Sequence, residues 1–290
     1  MQGSSQVLDI VSPGVSACHG CGLEIAFRTV VNVLGPRTIV VIPPGCSAMF
    51  SGVGGETCVR IPGYQCNLEN TAATLSGIRA GLDMQGKHDV NVLGCAGDGA
   101  TIDIGLQALS GAMERGDRII YVCYDNEAYQ NTGNQASGST PLGASTTTTP
   151  GGKPTYRKDM MQIVAAHHIP YAATCSISHL EDMVKKVEKA RDCGGTAYLQ
   201  LLGPCPTGWF FDSDQSVKIA RLAVQSLVWP LYEVTNGTEY RLTHKVSKPI
   251  PVGDYLKSQG RFSKITEEQV AFVQQRVEND YAALLKRVEG

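Results

Sequence analysis

Apolar residues follow two rhythms along this chain. Unbroken apolar runs at 38–42, 90–95, 118–124, 171–175 and 196–202 read as strands buried on both faces, since such a run leaves no polar side for solvent. Between them, apolar residues recur at helical spacing over 23–34, 70–84, 104–114, 158–168, 179–193 and 214–228, with Gly35 stopping the first helix. Strands and helices alternate with short connections. That predicts an α/β fold, a doubly wound, mainly parallel sheet with helices on both faces. Residues 47–67 are Gly-rich and aperiodic and read as a loop. Residues 134–154, rich in Ser, Thr and Gly, form a second long loop, and a loop of that length in a compact domain often serves function.

Pro230 ends the alternation. Residues 231–235 and 239–243 flank Asn236-Gly237, a strong hairpin signal, and 267–287 has the pattern of an amphipathic helix. On this reading the chain divides into an α/β domain, 1–230, and a C-terminal hairpin and helical arm, 231–290.

The alternation also places chemistry. Gly97-Asp98-Gly99 follows one strand and Asp125-Asn126 the next, joined by a single βαβ crossover. In an open parallel sheet, ligands bind beyond the carboxyl ends of the strands. A carboxylate, an amide oxygen and nearby main-chain oxygens at that edge suit a hard cation such as Mg²⁺, with phosphate oxygens completing its shell. The free N–H groups at 99–101, where a helix starts, favour an anion. Gly-Asp-Gly alone equally describes a turn with an aspartate helix cap.

Composition narrows the function classes. Of 290 residues 18% are charged, with a formal net charge of −2, so no basic bias points to nucleic acid. No apolar run reaches bilayer-spanning length, and residues 1–10 lack the pattern of a secretory signal, so the expectation is a cytoplasmic protein that does not engage membrane. Ten cysteines are many for such a chain. Disulfide scaffolds are short secreted domains with small cores, unlike this one. Cys95, Cys123 and Cys175 lie inside apolar strands and read as core residues. Cys18 and Cys21 form a C-x-x-C just before a helix, while Cys46 and Cys205 each follow a strand. Sheet topology can bring these four to the edge that carries Asp98 and Asn126. A C-x-x-C serves a redox dithiol or half a zinc site, and four thiolates hold zinc or an iron–sulfur cluster. Cys58 and Cys66, in the first long loop, raise a second metal site, with an incidental pair as the plainer reading. His19 reads as a solvated turn residue.

Taken together, Cys18-His-Gly-Cys21, Gly45-Cys46, Gly97-Asp98-Gly99, Asp103-Ile-Gly-Leu-Gln107, Ser110-Gly-Ala-Met-Glu-Arg-Gly116, Tyr124-Asp-Asn-Glu127, Asn131-Thr-Gly133 and Pro204-Cys-Pro-Thr-Gly-Trp209 resemble the β subunit of the 2-oxoacid:ferredoxin oxidoreductases, especially the pyruvate type. The resemblance covers nearly the whole chain. It implies thiamine diphosphate (TPP), held through Mg²⁺ on Asp98, Asn126 and the Ala128 carbonyl, in the Gly97-Asp98-Gly99 motif. It implies a [4Fe–4S] cluster on Cys18, Cys21, Cys46 and Cys205, with Cys46 close to TPP, and Asn131 facing the cofactor's reacting end. The implied reaction is oxidative decarboxylation of a 2-oxoacid, with electrons passed to ferredoxin and coenzyme A accepting the acyl group. Residues 47–70 depart from the pyruvate-type pattern. Pyruvate is therefore favoured without excluding branched-chain 2-oxoacids, 2-oxoglutarate or oxalate, and oxalate would not need coenzyme A.

The resemblance also implies a part this chain lacks. TPP needs a carboxylate to activate its aminopyrimidine ring, supplied from a second α/β domain. Glu24, Glu56 and Glu69 are the candidates here, and each is better read as structural or surface. The expectation is an α subunit supplying that glutamate and substrate contacts, together with γ/δ-type ferredoxin-like subunits. Two alternatives stand beside it. A non-redox TPP lyase or synthase leaves the four cysteines unexplained. A zinc-stapled assembly subunit leaves Asp98 and Asn126 unexplained.

Overall fold

The computed structural model of the protein describes residues 9–51 and 57–290, so Glu56 lies outside the described residues. Its centre is one sheet in the order β2-β1-β3-β4-β6-β5-β7-β8. The first six strands are parallel: β1 (Thr38–Ile42), β2 (Gly63–Gln65), β3 (Asn91–Gly97), β4 (Ile120–Asp125), β5 (Tyr171–Ser176) and β6 (Ala197–Leu202). The hairpin expected after Pro230 is present as β7 (Leu231–Thr235) and β8 (Glu239–His244), and β7 pairs antiparallel with β5.

Alternation along the strands divides the core in two, as the pleat requires. Val40, Leu93, Cys95, Val122, Ala173 and Leu199 face one layer, with α1 (Gly22–Leu34) and α6 (Leu180–Asp192) packed on it. Val41, Val92, Ala96, Tyr121, Ala172 and Tyr198 face the other, under α3 (Thr71–Met84), α4 (Leu106–Glu114) and α5 (Met160–Ala165). Helix α1 buries Leu23, Ala26, Phe27, Val30, Val31 and Leu34, an i, i+3, i+4, i+7 stripe, and Phe27 stacks on Phe50 at 4.4 Å. Cys58 belongs to the first layer and Cys66 to the second, so they do not share a metal site.

A third core gathers Trp209, Trp229, Tyr255 and Phe262 around α8 (Ser216–Gln225) and α9 (Val252–Leu256), beside the four-residue turn α7 (Pro206–Trp209). The C-terminal helix α10 (Glu267–Glu289) starts from a Thr266/Gln269 capping box. Its stripe of Val270, Val273 and Val277, then Tyr281 and Leu284, bridges the third core and the second layer.

Two expectations change. The loop read over 47–67 contains helix α2 (Ala48–Ser51) and the edge strand β2, whose three residues are all exposed and therefore carry no apolar signal. The helix read over 104–114 begins earlier, with a π-helical turn over Gly99–Asp103, and α4 proper starts at Leu106.

Candidate functional site

The chain leaves the carboxyl end of β1 toward β2, then crosses back through α3 to β3 on the other side of β1. Such a reversal opens a crevice at the strand ends. Four adjacent strands deliver the predicted residues to it: Cys46 follows β1, Asp98 follows β3, Asn126 follows β4 and Cys205 follows β6. The cleft there is small, about 100 Å³, and is lined by Cys46, Asp98, Asn126, Ala128, Tyr129 and Asn131 among others. Pockets that enclose a whole cofactor-sized molecule run to roughly 300–1,000 Å³, so this edge encloses only part of one.

Asp98, Asn126 and Ala128 converge in the cleft. One end of the Asn126 amide lies 2.9 Å from Asp98 Oδ1 and 2.9 Å from the Ala128 carbonyl. Its other end lies 3.9 Å from Cys46 Sγ. With nitrogen at the first end the amide donates to both oxygens; with oxygen there, three acceptors face one another, an arrangement that a cation among them would hold. Asp98 is fully buried, and burial together with the Asp125 charge pushes its carboxyl well above the ordinary carboxylate range. With the Asn126 oxygen turned inward the donor set is oxygen-only, with one carboxylate, the kind that takes Mg²⁺.

The polar loop over 134–154 lies beneath these groups. Ser137 Oγ donates to Asp98 Oδ2, Ser139 Oγ reaches both Asp125 oxygens at 2.6 Å, and Thr140 Oγ1 donates to the Glu127 carbonyl at 2.6 Å. Two arginines complete the support. Arg157 pairs with Asp125 at 2.6 Å and Glu127 at 2.8 Å, and Arg261 pairs with Glu127 at 2.6 Å. Burial pushes the Glu127 carboxyl up, against the pull of Arg261 and Arg157.

The Gly-Asp-Gly turn has its own steric logic. A Cβ on Gly99 would lie 2.2 Å from the Tyr129 ring. The Tyr129 hydroxyl donates to the Gly99 carbonyl at 3.3 Å and to Asp103 at 3.1 Å. Asp103 also accepts from the Gly138 amide and Lys158. The π turn thus seats Gly99 under an aromatic lid and ties it to both flanking loops.

The four cysteines gather at the same edge. Gly22 N–H donates to the Pro204 carbonyl at 3.3 Å, which docks the C-x-x-C turn on the Cys205 turn, and Ser216 Oγ donates to the Gly20 carbonyl. Cys205 Sγ accepts from the Gly208 amide at 3.3 Å. Burial, then the charges of Cys205, Cys21 and Cys18, push the Cys46 thiol up to about 12. Burial, then Cys21 and Cys18, push Cys205 up to about 11. The thiols feel one another, yet among the described residues no three His, Cys, Asp or Glu side chains close on a single ion. Cys18 and His19 are exposed, while Cys21, Cys46 and Cys205 are half-buried.

Asn131 sits exposed at the mouth of the cleft. Glu24 pairs with Arg28 at 3.3 Å and Glu69 is exposed, so neither is set aside for chemistry. Sequence reasoning missed Ser137, Ser139, Thr140, Arg157 and Arg261. The Ser/Thr richness of 134–154 carried a signal for the first three; nothing local marks the arginines. No helix among the described residues is long and apolar enough to cross a membrane.

Comparison with known proteins agrees with this geometry. The profile of the thiamine pyrophosphate enzyme C-terminal TPP-binding domain matches residues 43–201. Pyruvate synthase subunit PorB of Methanothermobacter thermautotrophicus is 48% identical over 276 residues, covering 93% of this chain and 96% of that protein. Ketoisovalerate oxidoreductase subunit VorB of Pyrococcus horikoshii is 44% identical over 287 residues, covering 95% and 92%. A solved 2-oxoglutarate:ferredoxin oxidoreductase from Magnetococcus marinus shares the fold, with a TM-score of 0.62 at 19% identity over 76% of this chain and 81% of that one. With relatives matched across nearly their whole length and the TPP-binding profile matched over more than half of this one, the chain belongs to the β subunits of the TPP-dependent 2-oxoacid:ferredoxin oxidoreductases.

Proposed function

We propose that this chain holds TPP through Mg²⁺ on Asp98, Asn126 and the Ala128 carbonyl, beside a [4Fe–4S] cluster on Cys18, Cys21, Cys46 and Cys205. One observation carries the pairing: the Asn126 amide lies 2.9 Å from Asp98 Oδ1 and the Ala128 carbonyl at one end and 3.9 Å from Cys46 Sγ at the other, so one side chain borders both sites. Octahedral Mg²⁺ with bonds of about 2.1 Å has ligand oxygens roughly 2.9–3.0 Å apart along an edge, the spacing between the Asn126 amide and each of its two partner oxygens, and the amide oxygen would turn inward when the cation binds. Cysteines beside the cofactor edge suit an iron–sulfur cluster better than a structural zinc, because electrons leaving the site need a nearby acceptor.

When bound, TPP supplies the electron sink for cleaving a 2-oxoacid beside its carbonyl. The chain's own residues bind and orient. Asp98 and Asn126 fix the diphosphate end through the cation, the 99–101 amides face its anionic oxygens, and Tyr129 covers Gly99. Asn131, at the cleft mouth, contacts the reacting end. Cys46, between the Asn126 amide and the other thiols, marks the side where electrons leave toward ferredoxin.

The activating glutamate and most substrate contacts come from an α subunit, and γ/δ-type ferredoxin-like subunits carry electrons onward. The small cleft and the engaged or exposed state of Glu24 and Glu69 support this. Pyruvate is the favoured substrate, with coenzyme A as acyl acceptor, while the VorB likeness keeps branched-chain 2-oxoacids in play.

The test is anaerobic purification of the whole complex, with iron, zinc and TPP assayed and viologen reduction followed on a panel of 2-oxoacids, with and without coenzyme A. The expected result is about four irons per copy of this chain beyond those of other subunits, bound TPP, and pyruvate-dependent reduction. Zinc in place of that iron, or Mg²⁺-dependent TPP retention by Asp98→Ala, would overturn the assignment. Oxoacid-dependent reduction by this chain alone would overturn the shared site.

A further inference from the structure

Glu127 stands between Asn126, whose amide lies 2.9 Å from Asp98 Oδ1, and Ala128, whose carbonyl lies 2.9 Å from the same end of that amide, and its backbone is left-handed, with φ +61°. Side chains other than glycine's rarely adopt that region, and persist there when surrounding contacts over-determine it. Here they do. Each Glu127 oxygen is held by a different arginine, Oε1 by Arg157 at 2.8 Å and Oε2 by Arg261 at 2.6 Å, and its carbonyl accepts from Thr140. Its amide donates to Asp125 Oδ1 at 3.1 Å, and Arg157 holds Asp125 as well.

Arg261 comes from the C-terminal segment, far from the Gly-Asp-Gly and Asp-Asn motifs and outside the residues matched by the TPP-binding profile. Its guanidinium lies 3.7 Å from the Trp209 ring centre, and Trp209 Nε1 donates to the Asn126 carbonyl at 2.8 Å. The Trp209 amide in turn donates to the Cys205 carbonyl at 2.9 Å. One buried arginine therefore touches the cation turn through Glu127 and the thiol turn through Trp209.

We propose that Glu127 and Arg261 are positioning residues: their buried ion pair holds the 126–128 turn, left-handed at Glu127, so that the Asn126 amide sits between Asp98 and the Ala128 carbonyl, and Arg261 fixes that turn against the Cys205 turn through Trp209. The inference rests on the reading of Asp98, Asn126 and Ala128 as the Mg²⁺ ligands. Supports behind metal ligands commonly change metal affinity by roughly tenfold to a hundredfold when removed.

The test measures Mg²⁺-dependent TPP binding and melting temperature on the whole complex for Asp98→Ala, Arg261→Met, Arg261→Lys and the double variant Arg261→Met/Glu127→Gly. Glycine takes the left-handed conformation without strain and leaves no carboxylate unpaired. Arg261→Met is expected to weaken the Mg²⁺ dependence roughly tenfold or more. Arg261→Lys, which keeps charge but loses the flat fork over Trp209, is expected between it and the parent, and serves in its place should Arg261→Met not assemble. Adding Glu127→Gly should restore most of the binding, which a general stability role for Arg261 would not give at unchanged melting temperature. Folded Arg261 variants with parental Mg²⁺ dependence, while Asp98→Ala loses it, would overturn the clamp alone. Parental Mg²⁺ dependence in Asp98→Ala would overturn the underlying cation site. A double variant that regains melting temperature without regaining Mg²⁺ dependence also overturns the clamp.

Discussion

The amide of Gly22 donates to the carbonyl of Pro204 at 3.3 Å, joining two turns that lie 182 positions apart in sequence (204 − 22). The fit continues at Gly20, whose φ is +71° and where a Cβ would fall 1.9 Å from the Ser213 carbonyl oxygen. A contact that close cannot be absorbed by a small adjustment. Gly20→Ala must therefore push the C-x-x-C turn off the 204–213 segment and spread Cys18 and Cys21 from Cys205. The expected outcome is loss of most cluster iron and of the broad visible absorption under anaerobic purification, with the α/β fold retained by circular dichroism. Full iron content in Gly20→Ala would show that the docking of these turns does not assemble the thiols.

What was legible in the chain beforehand follows from how each signal arises. Buried strands such as β4 and β6 announce themselves because both faces are apolar, and the βαβ order then puts Cys46, Asp98, Asn126 and Cys205 at one edge without knowledge of any contact. Strand β2 was invisible because all three of its residues are exposed. The π turn was invisible because its start depends on Gly99 packing under Tyr129, 30 residues on. Arg261 and Arg157 were unreadable for a similar reason. An arginine's default is the surface, and only the fold reveals that these two end on buried carboxylates.

Gly99→Ala places a methyl 2.2 Å from the Tyr129 ring, so the ring must swing away and forfeit its bonds to the Gly99 carbonyl and Asp103. Tyr129→Phe removes those bonds and keeps the lid, a loss of about 0.5–1.5 kcal/mol. TPP affinity measured by fluorescence quenching is expected to fall a few-fold in the phenylalanine variant, as about 1.4 kcal/mol corresponds to tenfold, and considerably further in Gly99→Ala. Equal losses in the two would mean that the hydroxyl, not the lid, is what the turn needs.

Glu233 supplies a pH test away from the cofactor. The side chain is 5% exposed and accepts from Tyr171 at 2.9 Å, Lys189 at 2.8 Å and Arg241 at 2.7 Å. Burial alone would raise its carboxyl, but the hydrogen bonds from Lys189, Arg241 and Tyr171 outweigh it and hold the group below its ordinary value of 4.5. A depressed folded pKa gives stability that is present above 4.5 and lost as pH falls through the folded value. Melting temperature followed downward from pH 5 should therefore fall more steeply in the parent than in Glu233→Gln, which has no proton to take up. The glutamine variant should be the less stable of the two at neutral pH. Parallel curves would place the acid sensitivity elsewhere.

The Asp98–Asn126–Ala128 cluster sets binding against stability. Without a cation, Asp98 Oδ1 and the Ala128 carbonyl share one end of the Asn126 amide at 2.9 Å, and the Asp98 carboxyl is buried beside Asp125. Asp98→Asn removes one buried charge and can offer an N–H where an oxygen stood, while its remaining oxygen still accepts from Ser137. The cofactor-free complex is therefore expected to melt no lower than the parent, with a gain on the order of 1 kcal/mol, one hydrogen bond's worth. The same change removes the only carboxylate among the proposed cation ligands. Saturating TPP and Mg²⁺ should stabilise the parent by about 2.7 kcal/mol at a hundredfold excess over Kd and leave Asp98→Asn almost unmoved. Scanning fluorimetry with and without the cofactor reads both effects in one experiment. A parental upward shift in Asp98→Asn would place the cation on other oxygens, and a large drop in its cofactor-free melting temperature would mean that Asp98 is a structural acid and not one held in place for a metal.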